Sequence, residues 1–167
     1  MPDKSFFTSR TVSWFSAAKR DLPWRKTHDP YAIWISEIML QQTQVDRVIG
    51  FYTRFMERFP TVFDLAKVSW EDFLPYFRGL GYYRRGQNIL KAATVLVEQY
   101  DGKFPSDADE LQKLPGIGRY TANAIASFAF GLDVPVKDTN VSRVLQRFFN
   151  IADDDVWKKM GDLVPMK

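Results

Sequence analysis

A chain of 167 residues with 46% hydrophobic and 26% charged side chains has the composition of one folded domain that buries a sizeable core. Its lack of cysteine and its single histidine exclude disulfides, thiolate nucleophiles, cysteine-ligated clusters and histidine-rich metal centres. A net charge of +3 and a pI near 9.1 leave room for a basic face that meets phosphate. No run of about 18 apolar residues and no signal peptide is present, so we expect a cytoplasmic protein with no membrane contact.

The first 60 residues predict three helices. An amphipathic helix over about Ser5–Arg20 ends at the stretch Leu22-Pro23-Trp24-Arg25. The next begins at Asp29-Pro30, an N-cap acid followed by proline at the first helical position, and runs to about Gln41. Thr43 is placed to cap a third helix, whose apolar residues recur at three- and four-residue spacing.

Capping signals and glycines divide the middle of the chain. Thr61 opens a short helix, and Ser69 with Asp72 resembles a capping box before the next. Residues 79–81, Gly-Leu-Gly, predict a turn, and a long helix follows over about Tyr82–Tyr100. The residues predicted to form the apolar face of that helix are Tyr83, Leu90, Ala93, Val97 and Tyr100.

Short helices are predicted for the rest of the chain. Ser106 repeats the capping signal before a helix that ends near Leu114. The tight link Pro115-Gly116-Ile117-Gly118 leads into a small-residue helix over Tyr120–Phe130, which Gly131 ends. No segment alternates with period two, so we predict an all-α protein of eight to ten helices in one unit.

Two further helices complete this prediction. Asp138 or Thr139 caps the first of them, and about Asp154–Leu163 forms the second.

Glu37 is a carboxylate within an otherwise apolar helix. It shares a helix face with Ile33, Trp34, Leu40 and Gln41, so we expect at least part of it to be buried. Burial raises the pKa of a carboxyl, which suits a general acid that keeps its proton near neutral pH. On this helix alone, a core glutamate satisfied by an arginine or a backbone amide is the more common arrangement.

Asp138 lies in the stretch "VPVKDTNVSRVL", where a proline-containing loop enters a helix. An N-cap aspartate that accepts hydrogen bonds from first-turn amides is the ordinary explanation. Near a cleft, the same carboxylate could stabilise a developing positive charge. The two roles are compatible.

The stretch "LPGIGRYTANAI", residues 114–125, joins two helices through a glycine hairpin. Its glycines let the backbone approach a phosphate while amides of the following helix point outward, although any PGxG link between helices shares part of this pattern. A second group of side chains could insert between bases, stack on them or contact phosphates. They are Gln41, Gln42, Gln44, Tyr82, Tyr83, Arg84 and Arg85. Either group by itself is equally typical of solvated helix ends.

Together these stretches resemble the helix-hairpin-helix (HhH-GPD) DNA glycosylase superfamily and, within it, the MutY-type A/G-specific adenine glycosylases. The matching stretches run in family order from about residue 12 to residue 150, and "SEIMLQQTQV" and "GLGYY" are specific to the MutY-type branch. They are "LPWR", "PYAIWISEIMLQQTQV", "FMERFPTVFDLA", "GLGYYRRGQNI", "GKFP", "LPGIGRYTANAIASFAFG" and "PVKDTNVSRVLQRFF".

The resemblance implies a six-helix barrel over about residues 27–135 and a second helical lobe built from residues 1–26 and 136–167, with the active site in the cleft between them. Relatives continue into a four-cysteine iron–sulfur segment and a C-terminal domain that recognises 8-oxoguanine. Both are absent here, so we expect an incomplete second lobe, in a truncated chain or a reduced homologue. We also expect no cofactor other than a monovalent cation at the hairpin.

The resemblance also implies roles for individual residues. The target base is flipped out of the duplex. Glu37 matches the general acid that protonates the adenine, and Asp138 matches the carboxylate that stabilises or traps the oxocarbenium-like sugar. Tyr120 stands where bifunctional relatives carry a Schiff-base lysine, so we expect a monofunctional glycosylase. Tyr120 and Asn140 are additional site candidates.

The same resemblance implies DNA contacts. Gln42, Leu80 and Tyr82 match residues that fill or wedge the duplex around the flipped base. Trp24, Arg25 and Leu40 would line the adenine side. The hairpin from Leu114 to Gly118 would hold a backbone phosphate. The other predicted contacts are Gln41, Gly116, Thr121, Arg143 and Arg147.

The expected function is therefore base-excision repair of adenine mispaired with 8-oxoguanine or guanine, by a monomer that acts on double-stranded DNA in the cytoplasm, at the nucleoid in a bacterium or archaeon. One alternative is a glycosylase of the same superfamily that removes thymine or uracil from G mismatches. Another is a non-catalytic DNA-binding module. A helical protein-interaction domain would leave the hairpin and the basic pI as coincidences.

Overall fold

The computed structural model describes residues 3–164, which form ten α-helices and no strand, and this confirms the predicted all-α class. Residues 1, 2 and 165–167, assigned to the second lobe from the sequence, lie outside the described residues. A short 3-10 helix, Pro23–Arg25, lies between α1 and α2. The α-helices are α1 (Lys4–Ala18), α2 (Pro30–Leu40), α3 (Val45–Arg58), α4 (Val62–Ala66), α5 (Trp70–Phe77), α6 (Arg84–Tyr100), α7 (Ala108–Gln112), α8 (Arg119–Phe130), α9 (Thr139–Phe149) and α10 (Asp153–Leu163).

The chain divides into two compact units. The larger, Leu22–Gly131, contains α2 to α8 and is called the central unit here. The smaller combines the described residues up to Asp21 with those from Leu132 onward, contains α1, α9 and α10, and is called the terminal unit. None of the described helices has an apolar stretch long enough to cross a membrane.

Helix α2 lies at the centre of the central unit. Every residue from Tyr31 to Met39 is buried, and the helix packs against α3, α8 and the 3-10 helix. A helix that is apolar on all sides is stable only when other elements surround it, as happens here. Its start is as predicted, because the Asp29 side chain accepts a hydrogen bond from the Tyr31 amide at 3.0 Å and Pro30 is the first helical residue.

Aromatic rings fill the core beside α2. Phe55, Phe59, Phe73 and Phe77 are fully buried, and neighbouring rings among them lie 5.0–6.4 Å apart. Aromatic pairs at such distances stabilise a core beyond their buried area. Their packing holds α3 and α5 together.

Two predicted caps were wrong. The hydroxyl of Thr43 donates to the carbonyl of Gln41 at 3.3 Å, and Gln44 is the N-cap of α3. Asp107, not Ser106, caps α7 and accepts from two first-turn amides. At α7 an acceptor side chain one residue nearer the helix satisfies the orphan amides, whereas Gln44 makes no side-chain cap hydrogen bond at α3.

The predicted apolar face of α6 was also wrong in part. The residues of α6 that are buried are Gly86, Ile89, Ala92, Ala93 and Leu96, of which only Ala93 was predicted. Tyr83 precedes the helix and is exposed. Glycine is required at position 86 because aromatic side chains of α5 lie beside it. A Cβ atom at Gly86 would come within 2.7 Å of the Phe73 ring.

The terminal unit has its own small core. Leu145 and Phe149 of α9 pack with Val156 and Met160 of α10, and Phe7 of α1 lies against this cluster. Helix α1 has no buried residue of its own. The helix predicted to be amphipathic therefore contacts the cluster along one edge and is otherwise largely exposed.

Candidate functional site

Glu37 lies in the middle of α2 and is 7% exposed. It is the only carboxylate among the 11 residues of that helix. Placing an ionisable group among buried apolar side chains lowers stability unless the group is paired or neutral. The predicted burial is confirmed, and a carboxyl kept at such a position is a candidate for chemistry.

The end of α2 carries the glutamine cluster. Leu40 and Gln41 are half-buried, and the Gln41 side-chain amide donates to the Thr121 hydroxyl at 3.5 Å. Gln42 is exposed and has a left-handed backbone, with φ of 55°. Thr121 is buried, so its side chain joins α8 to α2 and does not face solvent.

Trp24 and Arg25 lie in the 3-10 helix beside α2. The Trp24 ring is buried and contacts the Tyr52 ring edge-on, with centroids 5.3 Å apart. Burial raises the pKa of Tyr52 to about 12, so its phenol stays neutral. Arg25 is exposed.

Two of the predicted wedge residues, one in the Gly79–Gly81 turn and one directly after it, differ in exposure. Leu80 is 5% exposed, whereas Tyr82 is 65% exposed and has a left-handed backbone with φ of 47°. Only Tyr82 projects into solvent. Arg84 is also exposed, but Arg85 is half-buried and donates to main-chain carbonyls.

The predicted hairpin joins α7 to α8. Gly116 has φ of 77°, and a Cβ atom there would lie 2.6 Å from Asn88 Cβ, so both backbone and packing require glycine. Gly118 is the N-cap of α8 with no side-chain cap, and a Cβ atom there would meet nothing within 4 Å. The amides of the first turn of α8 therefore face an open surface that suits an anion.

Other hairpin residues are directed inward. Leu114 is buried, and its carbonyl accepts from the Ile117 amide at 3.1 Å, so only its main chain is part of the hairpin surface. Tyr120 is half-buried in the first turn of α8. A phenol at this position cannot form an imine with a sugar aldehyde.

Asp138 is the N-cap of α9, which settles the choice between it and Thr139. One carboxylate oxygen accepts from the Val141 amide at 2.6 Å, and the other accepts from the Asn140 side-chain amide at 3.2 Å. Asn140 accepts in turn from Arg143 at 2.9 Å. This arrangement surrounds the carboxylate with donors at a helix N-terminus, a favourable place for negative charge.

The predicted residues thus occur in two groups. The central unit contains Glu37, the glutamine cluster, the wedge turn, the hairpin and Tyr120. The terminal unit contains Asp138 with Asn140 and Arg143, as well as Arg147, which is exposed in the last turn of α9. Among the described residues, no group of three or more His, Cys, Asp or Glu side chains could hold a metal ion.

Two residues hold these groups in a way that the sequence did not predict. Arg85 binds carbonyls from two segments of the central unit. Lys137, directly before Asp138, forms an ion pair with Asp153 at 3.1 Å and lies 5.7 Å from the Trp157 ring centre. No local sequence signal marks either contact, because the partners are distant in the chain.

Comparison with known proteins gives consistent relatives. The chain is 47% identical to the adenine DNA glycosylase of Homo sapiens over 157 residues, which is 89% of this chain and 29% of that protein. Its structure is similar to that of a thermostable thymine-DNA glycosylase, with a TM-score of 0.89 and 28% identity over 97% of this chain and 78% of the other. It is also similar to a trapped endonuclease III–DNA covalent intermediate, with a TM-score of 0.83 and 29% identity over 99% and 80% of the two chains.

A family profile matches most of the chain. The profile described as HhH-GPD superfamily base excision DNA repair protein matches residues 35–165. The chain spans less than a third of the length of its human relative, so the match concerns this region alone. The chain belongs to the HhH-GPD superfamily of base excision DNA repair proteins.

Proposed function

We propose that this chain is the catalytic core of a monofunctional DNA glycosylase, which hydrolyses the N-glycosidic bond of adenine mispaired with 8-oxoguanine or guanine. The observation that carries the proposal is Glu37, a buried carboxyl in an otherwise apolar helix. The 47% identity to a human adenine DNA glycosylase supports adenine as the base. The exposed hairpin supports double-stranded DNA as the partner.

The proposed reaction divides the work between two carboxylates. Glu37 donates a proton to the adenine, so the electron pair of the breaking C–N bond leaves with a neutral base. Asp138 stabilises the positive charge that develops on the sugar, and water then adds to give an abasic site. Tyr120 offers no amine, so the strand is not cut through an imine. Asn140 donates to Asp138 and orients it.

The DNA contacts follow from the exposed residues. The first-turn amides of α8 and the turn at Gly116 would hold a backbone phosphate, and carbonyls of the same hairpin suit a monovalent cation. Gln42 and Tyr82 would enter the duplex beside the flipped base. The chain has no cysteine and offers no thiolate for an iron–sulfur cluster. We propose that it acts as a monomer on DNA in the cytoplasm, and at the nucleoid if the cell is a bacterium or an archaeon.

The test is single-turnover base release from end-labelled duplexes that contain A:8-oxoG, A:G, T:G or U:G, with alkali to reveal abasic sites. Wild type is compared with Glu37→Gln and with Glu57→Gln, a matched change at an exposed position of α3. We expect adenine release from the first two duplexes, loss of about 10²–10⁴-fold in Glu37→Gln and no loss in Glu57→Gln. Samples without alkali should stay uncut.

A second candidate, removal of thymine or uracil from G mismatches, is favoured by the TM-score of 0.89 to a thymine-DNA glycosylase. Release from T:G or U:G alone would establish it in place of adenine excision. Binding of every duplex with no release would instead indicate a DNA-binding module. Strand cleavage without alkali would contradict the monofunctional mechanism.

A further inference from the structure

Arg85, in the first turn of α6, caps a helix other than its own. Its Nη1 donates to the Ile38 carbonyl at 2.7 Å and to the Gln41 carbonyl, and the Met39 carbonyl lies at 3.5 Å. The last carbonyls of any helix lack intrahelical donors and carry partial negative charge. Helix α2 has no basic residue in its last turn. The guanidinium therefore supplies the donors that the end of α2 needs.

The same guanidinium also holds the Gly79–Gly81 turn. Nη2 donates to the Leu80 carbonyl at 3.0 Å and to the Gly81 carbonyl at 3.2 Å. The Tyr82 ring centre lies 5.8 Å from Arg85 Cζ, within the range of a cation–π contact. One planar group thus joins two main-chain segments that are about 40 residues apart in sequence.

The backbone conformation shows which residues the contacts of Arg85 hold in place. Four non-glycine residues in the described part of the chain have positive φ, and two of them, Asp101 and Asn150, are ordinary left-handed helix C-caps. The other two are Gln42 and Tyr82. Each directly follows a carbonyl to which Arg85 donates. Left-handed non-glycine residues persist only where their surroundings determine them, and they are concentrated at functional sites.

We propose that Arg85 is a positioning residue that holds Gln42 and Tyr82 at a fixed spacing for insertion into the DNA duplex. The inference rests on the proposed function in so far as these two side chains enter DNA. Because both segments are fixed before DNA binds, the binding free energy does not have to offset the entropy cost of ordering them. Helix α2 carries Glu37 directly before Ile38 and one turn before Gln41, so the same contact sets the position of Glu37 relative to both wedge residues.

The geometry requires arginine. The guanidinium presents its donors in a rigid planar fork, whereas a lysine ammonium is a single nitrogen on a flexible stem. Arg85→Lys therefore keeps the charge but can serve only one of the two segments. This variant therefore distinguishes the bridging of two main-chain segments by Arg85 from simple electrostatic attraction of its charge to DNA.

The experiment uses the full chain and a duplex with A:8-oxoG and 2-aminopurine next to the adenine, because 2-aminopurine fluorescence rises when its neighbours unstack. Wild type, Arg85→Lys and Arg85→Gln are compared with Arg58→Lys, a matched change at an exposed position in the last turn of α3. Each protein is checked for folding by circular dichroism. Binding of an undamaged duplex, the fluorescence rise and the single-turnover rate at saturating DNA are then measured.

We expect Arg85→Lys to bind the undamaged duplex within about threefold of wild type, to lose most of the fluorescence rise and to lose at least about tenfold in rate. Arg58→Lys should match wild type. In a Tyr82→Ala background the same Arg85→Lys change should reduce the rate less, because one of the two side chains that it positions is gone.

If wild type unstacks the duplex, three results would overturn the proposal: a wild-type fluorescence rise in Arg85→Lys, a parallel loss of undamaged-duplex binding and rate, or loss of folding in both Arg85 variants. The last would make Arg85 a residue of general stability. Wild-type protein that unstacks the duplex but releases no base would refute the proposed activity, and the Arg85 comparison would still be decisive. Wild-type protein that fails to unstack the duplex would refute the positioning role.

Discussion

The helices that carry the two predicted catalytic carboxylates are built in opposite ways. Helix α2 is buried on all sides, and Glu37 lies in its middle. Helix α9 is strongly amphipathic, with Leu145 and Phe149 buried and Val144 exposed, and Asp138 lies before its first turn.

This contrast shows how one functional group can serve two roles in a single protein. Apolar surroundings disfavour charge and suit a carboxyl that keeps its proton. A helix N-terminus with an amide donor at 2.6 Å suits a carboxylate that carries negative charge. The proposed division between acid and anion rests on these two local environments of Glu37 and Asp138.

The largest expected effect on activity, after loss of Glu37, comes from removing the charge of Asp138 while keeping its cap. Asparagine is as good an N-cap as aspartate, so Asp138→Asn should change stability by no more than about 0.5 kcal/mol. Its single-turnover rate on A:8-oxoG should fall about 10²–10³-fold, because charge stabilisation is lost. The matched control is Asp29→Asn, the N-cap of α2, which should keep its rate. A wild-type rate in Asp138→Asn would show that this residue serves only as a helix N-cap.

The largest expected effect on stability contrasts the two helices directly. Ile35 of α2 is fully buried, and Ile35→Ala should lower the free energy of unfolding by about 2–5 kcal/mol. Val144 of α9 is 50% exposed, and Val144→Ala should change it by no more than about 0.5 kcal/mol. Urea unfolding of both variants measures the difference. Equal losses of unfolding free energy in Ile35→Ala and Val144→Ala would contradict the contrast between a fully buried helix and an amphipathic one.

A smaller effect concerns the loop before Asp138, which the ion pair between Lys137 and Asp153 holds in place. The hydrogen bond from Lys137 lowers the pKa of Asp153 below its ordinary value of about 3.9. A carboxyl with a lowered folded-state pKa contributes stability above its unfolded pKa and loses that contribution as pH falls through the folded value. The stability difference between wild type and Asp153→Asn should therefore be full near neutral pH and vanish in acid. A difference that persists at about pH 2 would contradict the ion pair.

Local signals in the sequence were enough for much of the fold. Asp29 and Asp138 were predicted as caps, and Gly131 was predicted to end α8, because each acts through bonds to its own helix. The buried position of Glu37 followed from an uninterrupted apolar helix, which has no solvent-facing side on which to place a carboxylate.

What failed depended on distant partners. The α6 face shifted because the Phe73 ring occupies the space beside Gly86, and only small residues fit there. Arg85 was predicted as a base or phosphate contact because it is a basic residue in a stretch of aromatic and basic side chains. Its actual partners, including the Ile38 and Leu80 carbonyls, come together only in the folded chain. Leu80 was expected to wedge into DNA, yet its side chain is buried.

The most direct test of the division between Glu37 and Asp138 compares two duplexes that differ only in the leaving base. One carries adenine opposite 8-oxoguanine; the other carries adenine methylated at N7, which is already positively charged and leaves without a proton donor. If Glu37 supplies the proton, Glu37→Gln should lose about 10²–10⁴-fold on adenine and little on the methylated base. Asp138→Asn should lose rate on both, since the sugar becomes cationic in either case. Equal losses in Glu37→Gln on the two duplexes would contradict the account.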